Sequence, residues 1–373
     1  MVAGVYLHIP YCKSRCSYCD FATDVYRSEE AVERYVTALC SEIRNSQNEI
    51  QDSTDTIYFG GGTPSLLTPK QIERILKDVN NAFMIVGNAE ITMEMNPATV
   101  TAESLARYRS LGVNRASFGV QTFNDRHLKL LARGHDANDA RQTFRLLRAI
   151  GFGNISFDLI AGLPGQTIDD WKRNLDEAVS MQPEHLSLYL LEIHEGTPLA
   201  EQIRSGRRPL PDEDVGAEMY ELMIDRLEAA GYQQYEISNF AKPGFESRHN
   251  TKYWRLEPVY GFGVSAHSFD GRNRYANERD TATYVSAIES TQVAQAFREE
   301  INAASEFVFL GLRLNRGIDL AEYEQRFGHD LLERYAKEIN SLKANGLIEN
   351  GSGVVHLTRK GMLFSNEVFA EFV

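Results

Sequence analysis

Six short apolar runs punctuate the first half of the chain: VYLHI (5–9), TIYFG (56–60), EITMEM (90–95), RASFGV (115–120), NISFDLI (154–160) and HLSLYLL (185–191). Each is rich in β-branched or aromatic residues and short enough to be a buried strand. Between them the apolar positions take helical spacing, over residues 28–46, 69–83, 101–111, 138–150 and 167–180. Ser28 followed by Glu29 and Glu30 opens the first of these, and Thr101 with Ser104 and Thr167 with Asp170 mark two further N-termini. Strand–helix alternation over six units predicts a parallel sheet with helices outside it. Right-handed crossovers curl such a sheet toward a barrel. Six units fall short of eight, so the expected fold class is α/β, an open partial (β/α)6 barrel that works at the carboxyl ends of its strands.

After about residue 200 the rhythm changes. GRRPLPDED (206–214) is a polar connection, and the helical stretch at 213–230 that follows stops at Gly231. Residues 232–278, with many Gly, Asn and aromatic side chains, read as irregular strands and loops. Helical spacing returns at 301–312, 319–327 and 330–345; VVHLTRKG (354–361) reads as a hairpin wing and 362–372 as a last helix. These patterns divide the chain into a barrel unit at 1–205, an extension of it at 206–294, and a smaller, mostly helical, winged-helix-like unit at 295–373.

Composition changes this picture at two points. The net charge of −13 makes general nucleic-acid binding an unsuitable function, because phosphate contacts need clustered Lys and Arg. No stretch reaches the ~18 apolar residues that span a bilayer, and MVAGVYLHIPYC lacks the basic start and apolar core of a signal peptide. The expectation is a cytoplasmic protein, or one peripheral at the membrane. Of its four cysteines, Cys12, Cys16 and Cys19 crowd one loop while Cys40 stands apart in a helical stretch, which points to metal rather than disulfides.

Cys12, Cys16 and Cys19 form C-x3-C-x2-C after the first strand. Three thiolates can bind three irons of a cubane cluster and leave the fourth iron open, where a substrate group coordinates. A zinc site is the alternative; it needs a fourth ligand, for which Cys40 and His8 are candidates. GGGTP (60–64) follows the second strand, and its glycines let backbone approach a ligand closely. Glu94, Gln121, Arg133 and Asp158 are polar residues in or just after strands that are otherwise apolar. A buried carboxylate is costly unless it is paired or used. They are either an internal ion-pair network, with Arg133 satisfying Glu94 or Asp158, or polar clamps at the strand ends.

HIPYCKSRCSYCDF (8–21) followed by YFGGGTPSLL (58–67) resembles the radical-SAM superfamily, in its coproporphyrinogen-oxidase-like branch, and the likeness extends over nearly the whole chain. The resemblance implies a 4Fe–4S cluster on Cys12, Cys16 and Cys19, with S-adenosylmethionine (SAM) on the open iron. In that family an electron from the cluster cleaves the sulfonium bond and releases a 5′-deoxyadenosyl radical. It places Gly61, Gly62 and Thr63 against the methionyl part of SAM, Glu94 and Asp158 at the ribose and adenosyl part, and Arg133 as the carboxylate clamp. Gln121 lines the same pocket; Tyr6 and Tyr18 match aromatic pocket positions, or pack in the core.

Two functions share this machinery. The oxidase pattern continues to a fourth cysteine, C-x3-C-x2-C-x-C, where this chain has Phe21, and the oxidase carries a long segment before its cluster where this sequence has eleven residues. Both departures point away from coproporphyrinogen decarboxylation. CDF, HNTKYW (249–254), GFGVSAHSF (261–269) and LTRKGMLFSNEVF (357–369) resemble the haem chaperones of the branch. The resemblance implies haem as cargo and membrane haem proteins as recipients, with a flavodoxin or ferredoxin as electron donor. His249 is the candidate axial ligand and His267 the second, because neutral imidazole binds iron; His249 is otherwise a hydrogen-bonded loop histidine. Tyr253 and Trp254 stack on the porphyrin or simply pack. The alternatives are an oxygen-independent coproporphyrinogen III oxidase and a radical-SAM enzyme acting on another tetrapyrrole.

Overall fold

The computed structural model describes residues 2–48, 50 and 52–373. Six parallel strands follow one another in space as in sequence: β1 (Val2–Ile9), β2 (Ser53–Gly61), β3 (Met84–Met95), β4 (Arg115–Gln121), β5 (Ile155–Ala161) and β6 (His185–Leu190). Helices α1 (Glu29–Asn45), α2 (Pro69–Ala82), α3 (Ala102–Ser110), α4 (Asp125–Leu130), α5 (Ala137–Ile150) and α6 (Ile168–Met181) alternate with them. Ser28 caps α1 through the Ala31 N–H, and Thr101 with Ser104 and Thr167 with Asp170 form full capping boxes.

The sheet does not stop at six strands. At one edge β6 pairs antiparallel with β8 (Asn239–Ala241), which pairs with β7 (Gln233–Glu236). At the other, β1 pairs parallel with β9 (Val259–Phe262), which leads into an antiparallel meander of β10 (His267–Phe269), β11 (Asn273–Asn277) and β12 (Gln295–Glu300). The region that reads as irregular in sequence thus extends both edges of a twelve-stranded sheet. These added strands are three to six residues long, too short for a period-2 signal to stand out. HNTKYW is also more regular than expected: it lies on a short helix, Arg248–Trp254, capped by Ser247.

On the six barrel strands large apolar residues alternate with small or polar ones. Val5, Leu7, Ile57, Phe59, Met93, Phe118, Phe157 and Leu188 join the helices in the main apolar core. Their sequence neighbours face the interior of the curved sheet, where Tyr6, Tyr58 and His249 meet ring to ring and Ser156 meets His185. The barrel therefore encloses a polar lumen.

The C-terminal part builds a second core from Phe307, Val308, Tyr323, Ile339 and Val355, which Ile237, Leu256 and Phe269 join from the large sheet's side. Its helices are Ala303–Gly311, Leu320–Phe327 and Ala336–Ala344, the last separated from Leu331–Arg334 by Tyr335. The wing is Ile348–Gly351 paired with Val354–Leu357, with Ile318–Asp319 as a third strand. The turn sits at Ser352 and Gly353, both at positive φ, so the expected hairpin at 354–361 is displaced. Thr358 then caps a helix at Arg359–Leu363. Arg313 from this part pairs with the fully buried Glu236 of β7 at 3.2 Å and lies over the Trp254 ring at 4.3 Å.

Candidate functional site

Cys12, Cys16 and Cys19 sit where the carboxyl end of β1 enters a loop pinned on several sides. Asp24 and Tyr26 donate backbone hydrogens to Pro10 and Cys12, and Ser17 donates its N–H to Leu131 at 2.9 Å and its hydroxyl to Leu130 at 3.1 Å. The GGGTP turn is tied to the same loop through Gly62 N–H to Ile9 and Thr63 N–H to Tyr11, both at 2.8 Å. Gly61 has φ of +108°, and a Cβ on Gly62 would stand 2.6 Å from the Pro10 carbonyl oxygen. Glycine is required at both positions for backbone to pass this close.

The three thiols are electrostatic neighbours, and burial pushes those of Cys12 and Cys19 up. Two donors face the sulfurs: the Thr63 hydroxyl reaches Cys12 Sγ at 3.5 Å, and Arg133 Nη1 reaches Cys16 Sγ at 3.4 Å. Among the described residues no three His, Cys, Asp or Glu side chains form a set that could hold a single metal ion. Among the described residues the zinc alternative also lacks its fourth ligand. His8 has both ring nitrogens engaged, by the Tyr6 hydroxyl at 3.0 Å and the Ala22 carbonyl at 2.9 Å. Cys40 is buried in α1, its thiol pushed up to about 12 chiefly by burial. Three soft thiols on one loop, with a cation and a hydroxyl beside them, fit a cubane cluster, whose ligands stand apart around a body larger than one ion.

The lumen beneath the loop holds the other candidates. Glu94 accepts from Tyr58 Oη at 2.7 Å and from the Gly61 N–H at 3.1 Å. Burial raises its carboxyl to about 7. Burial also raises Asp158, against the pull of Arg115, Arg133 and hydrogen bonds from Ser187 and Ser117. Arg133 donates to the Gly119 carbonyl at 2.8 Å, to the Tyr18 hydroxyl at 3.4 Å and to Asn96 Oδ1, while its Nε is buried with no partner. Arg133 pairs with neither Glu94 nor Asp158 among the described residues, so the internal ion-pair network is not formed. Gln121 holds φ at +66°, rare for a residue with a side chain, and its amide nitrogen would stand 2.5 Å from a Cβ on Gly119. Tyr6 lies deeper, against Tyr58 and His249. The strand-end residues thus share one chamber with the cluster loop.

His249 stands at the other end of that chamber. It is 1 % exposed, its Nδ1 lies 2.9 Å from Thr56 Oγ1 and its Nε2 3.2 Å from Tyr253 Oη. Burial, with help from Lys252, lowers its ring to about 3, so it is neutral with neither nitrogen free. Tyr253 packs on this imidazole edge-on, and Trp254 lies under Arg313. His267 is exposed on β10, its ring 5.9 Å from Phe297, and partial desolvation together with Arg274 and Arg279 lowers its ring.

Asn96, Arg115, Tyr58 and Ser187 also line the chamber and were not singled out by the sequence. Asn96, in MEMNP directly after β3, bridges Arg133 to the Thr63 hydroxyl at 2.8 Å. Its signal was a polar amide before Pro97 at a strand end. The signal for Arg115 and Ser117 was period-2 polarity inside an apolar run.

Residues 6–178 match the Radical SAM superfamily and residues 299–364 the HemN C-terminal domain. The chain is 37 % identical to Heme chaperone HemW of Bacillus subtilis, over 99 % of both chains. It is 34 % identical to the mouse mitochondrial radical S-adenosyl methionine domain-containing protein 1, over 93 % of this chain and 81 % of that one. Among solved structures, coproporphyrinogen III oxidase (HemN) from Escherichia coli, a radical SAM enzyme, superposes with a TM-score of 0.87 at 26 % identity, covering 100 % of this chain and 89 % of that one. The fold and these matches therefore define a radical-SAM protein of the HemN-like branch. Within that branch the chain belongs to the HemW family.

Proposed function

We propose that this protein is a cytoplasmic haem chaperone of the radical-SAM type. Its full-length likeness to a protein named Heme chaperone HemW carries the reading. Cys12, Cys16 and Cys19 hold a 4Fe–4S cluster, and SAM lies in the lumen beneath it. Bound there, the cluster supplies one electron and SAM the sulfonium that accepts it. The chain's own residues bind and orient. Gly61, Gly62 and Thr63 bring backbone to the methionyl part. Glu94 and Asp158 offer carboxylate oxygens to the ribose hydroxyls, and Arg133 offers its unpartnered Nε side to a carboxylate. Gln121 and Tyr18 border the chamber, and Tyr6 stacks beneath it with Tyr58 and His249, closing its floor to water. Haem is the cargo, membrane haem proteins are the recipients, and a flavodoxin or ferredoxin is the electron donor. Among the described residues no helix is long and apolar enough to cross a membrane.

Axial ligation by His249 would trade its Tyr253 hydrogen bond for iron and require the helix to open. His267 is reachable as it stands. A second reading, coproporphyrinogen III oxidase, is favoured by the superposition on HemN over the whole chain. Phe21, 69 % exposed beside Cys19, stands against it, because the oxidase pattern has cysteine there. Anaerobic incubation of the reconstituted protein with SAM and coproporphyrinogen III separates the two. The chaperone reading expects haem binding and no protoporphyrinogen; conversion at an enzymatic rate replaces it with the oxidase.

A further inference from the structure

Asn96 directly follows β3 and precedes Pro97, in a turn that fixes its backbone. Thr99 donates both its N–H, at 3.2 Å, and its hydroxyl, at 2.6 Å, to the Asn96 carbonyl, and Ser65 Oγ holds the Thr99 hydroxyl oxygen at 2.8 Å. The side-chain amide is thereby placed between Arg133 on one side and the GGGTP turn on the other.

Which way that amide faces is set by its neighbours. A guanidinium has donors only, so the Asn96 oxygen faces Arg133 Nη2. The nitrogen then faces Thr63 Oγ1 at 2.8 Å and donates to it. A hydroxyl that accepts there keeps its single proton for another acceptor, and Cys12 Sγ stands 3.5 Å away. On the other side, Arg133 Nη2 donates to the Gly119 carbonyl at 2.8 Å as well as to Asn96. Two acceptors on one nitrogen fix the plane of the fork, and Nη1 then meets Cys16 Sγ at 3.4 Å. One amide thus joins two donors that are aimed at two different sulfurs of the cluster loop. Hydrogen bonds to the ligand sulfurs of an iron–sulfur cluster stabilise its reduced, more negative form and raise its potential.

We propose that Asn96 is a positioning residue of the cluster: by holding Thr63 and Arg133 in one hydrogen-bonded chain it aims a donor at Cys12 and another at Cys16, and so makes the cluster easier to reduce. The inference rests on the cluster reading above. It predicts that Asn96 acts through these two donors and not by filling space.

The test is the midpoint potential of the one-electron couple of the reconstituted, SAM-free protein, read by EPR during anaerobic titration with dithionite. Wild type is compared with Thr63→Val, Asn96→Leu and the double variant. Leucine keeps the branched shape of asparagine without its polar atoms. Asn96→Leu should shift the reduction equilibrium about tenfold toward the oxidised cluster, a midpoint lower by about 59 mV. Thr63→Val removes only the donor on Cys12 and should shift it the same way by less. Added to Thr63→Val, Asn96→Leu should shift the midpoint by less than it does alone, because one of its two targets is already gone. Iron content and denaturant midpoints establish that each variant is loaded and folded. If Asn96→Leu takes up no cluster, Asn96→Ala carries the same expectation with a smaller side chain. A wild-type midpoint in a loaded Asn96 variant overturns the proposal, and so does full additivity with Thr63→Val, which a packing effect alone would give. Wild type that takes up no cluster would instead overturn the cluster reading itself.

Discussion

Tyr58 donates its phenolic hydrogen to Glu94 at 2.7 Å, and the other oxygen of that carboxylate accepts the Gly61 N–H. One half-buried side chain thereby ties the second strand to the turn that follows it. Burial raises the Glu94 carboxyl from its ordinary 4.5 to about 7. A carboxyl whose folded value lies above its unfolded one destabilises the fold when ionised. The penalty is absent below about pH 4.5, grows as pH rises and is complete above about 7. Glu94→Gln can keep both contacts, because its amide can face the Tyr58 oxygen while its carbonyl accepts from Gly61. The SAM-free protein carrying Glu94→Gln should therefore be more stable at pH 8, by up to ~3 kcal/mol, and unchanged near pH 4.5. Denaturant midpoints at the two pH values check this; equal shifts at both would sink it. The same variant should bind SAM more weakly, having lost an anionic acceptor.

Anaerobic reconstitution should load about four irons and four sulfides per chain. Alanine at Cys12, Cys16 or Cys19 should abolish the cluster absorbance. Cys40→Ala should leave it intact, because that thiol is buried in α1 away from the loop. Zinc in place of iron after anaerobic purification would overturn the cluster assignment.

Arg133→Ala and Asp158→Ala should weaken SAM binding by tenfold or more without unfolding the chain. Arg133→Ala should also broaden the cluster's spectroscopic signals, since it removes a donor 3.4 Å from Cys16 Sγ and unties Asn96. Wild-type SAM affinity in both variants would show that the ligand lies elsewhere.

The two histidines should separate in a haem titration. His267→Ala should shift the Soret band or weaken binding at unchanged stability. His249→Ala empties a buried site between Thr56 and Tyr253 and should cost about 2–4 kcal/mol of stability, by analogy with other large-to-small core changes. A Soret change confined to His249→Ala would show that the helix opens to admit iron.

The barrel was legible in the sequence because each of its strands carries enough residues for an apolar face to show, and three of the intervening helices announce themselves with caps at Ser28, Thr101 and Thr167; α4, six residues long, is too short for a helical period to show and was not read. The gathering of Cys12, Cys16 and Cys19 on one loop was legible because thiol spacing is local. What escaped was long-range. The 3.4 Å approach of Arg133 to Cys16 joins positions 117 apart, and the Thr56–His249 contact joins positions 193 apart. Arg115 was hidden for another reason: within RASFGV its charge reads as the polar start of a strand, and only the curvature of the sheet turns that position inward.

Glu236 is fully buried in β7, and its cation comes from Arg313, beyond the last strand of the large sheet. Across the same seam Ile237 donates its N–H to the Arg313 carbonyl and Asn315 its N–H to the Tyr235 carbonyl. Arg313→Met would leave that carboxylate buried without its cation, a loss typically of about 3–5 kcal/mol. It would also remove the cation over Trp254, one step along the helix from Tyr253, which holds His249. The carboxy-terminal segment is thus a keystone for the barrel's lower end rather than a detachable appendage, and a change in how it is seated would be felt at the imidazole some sixty residues upstream in sequence.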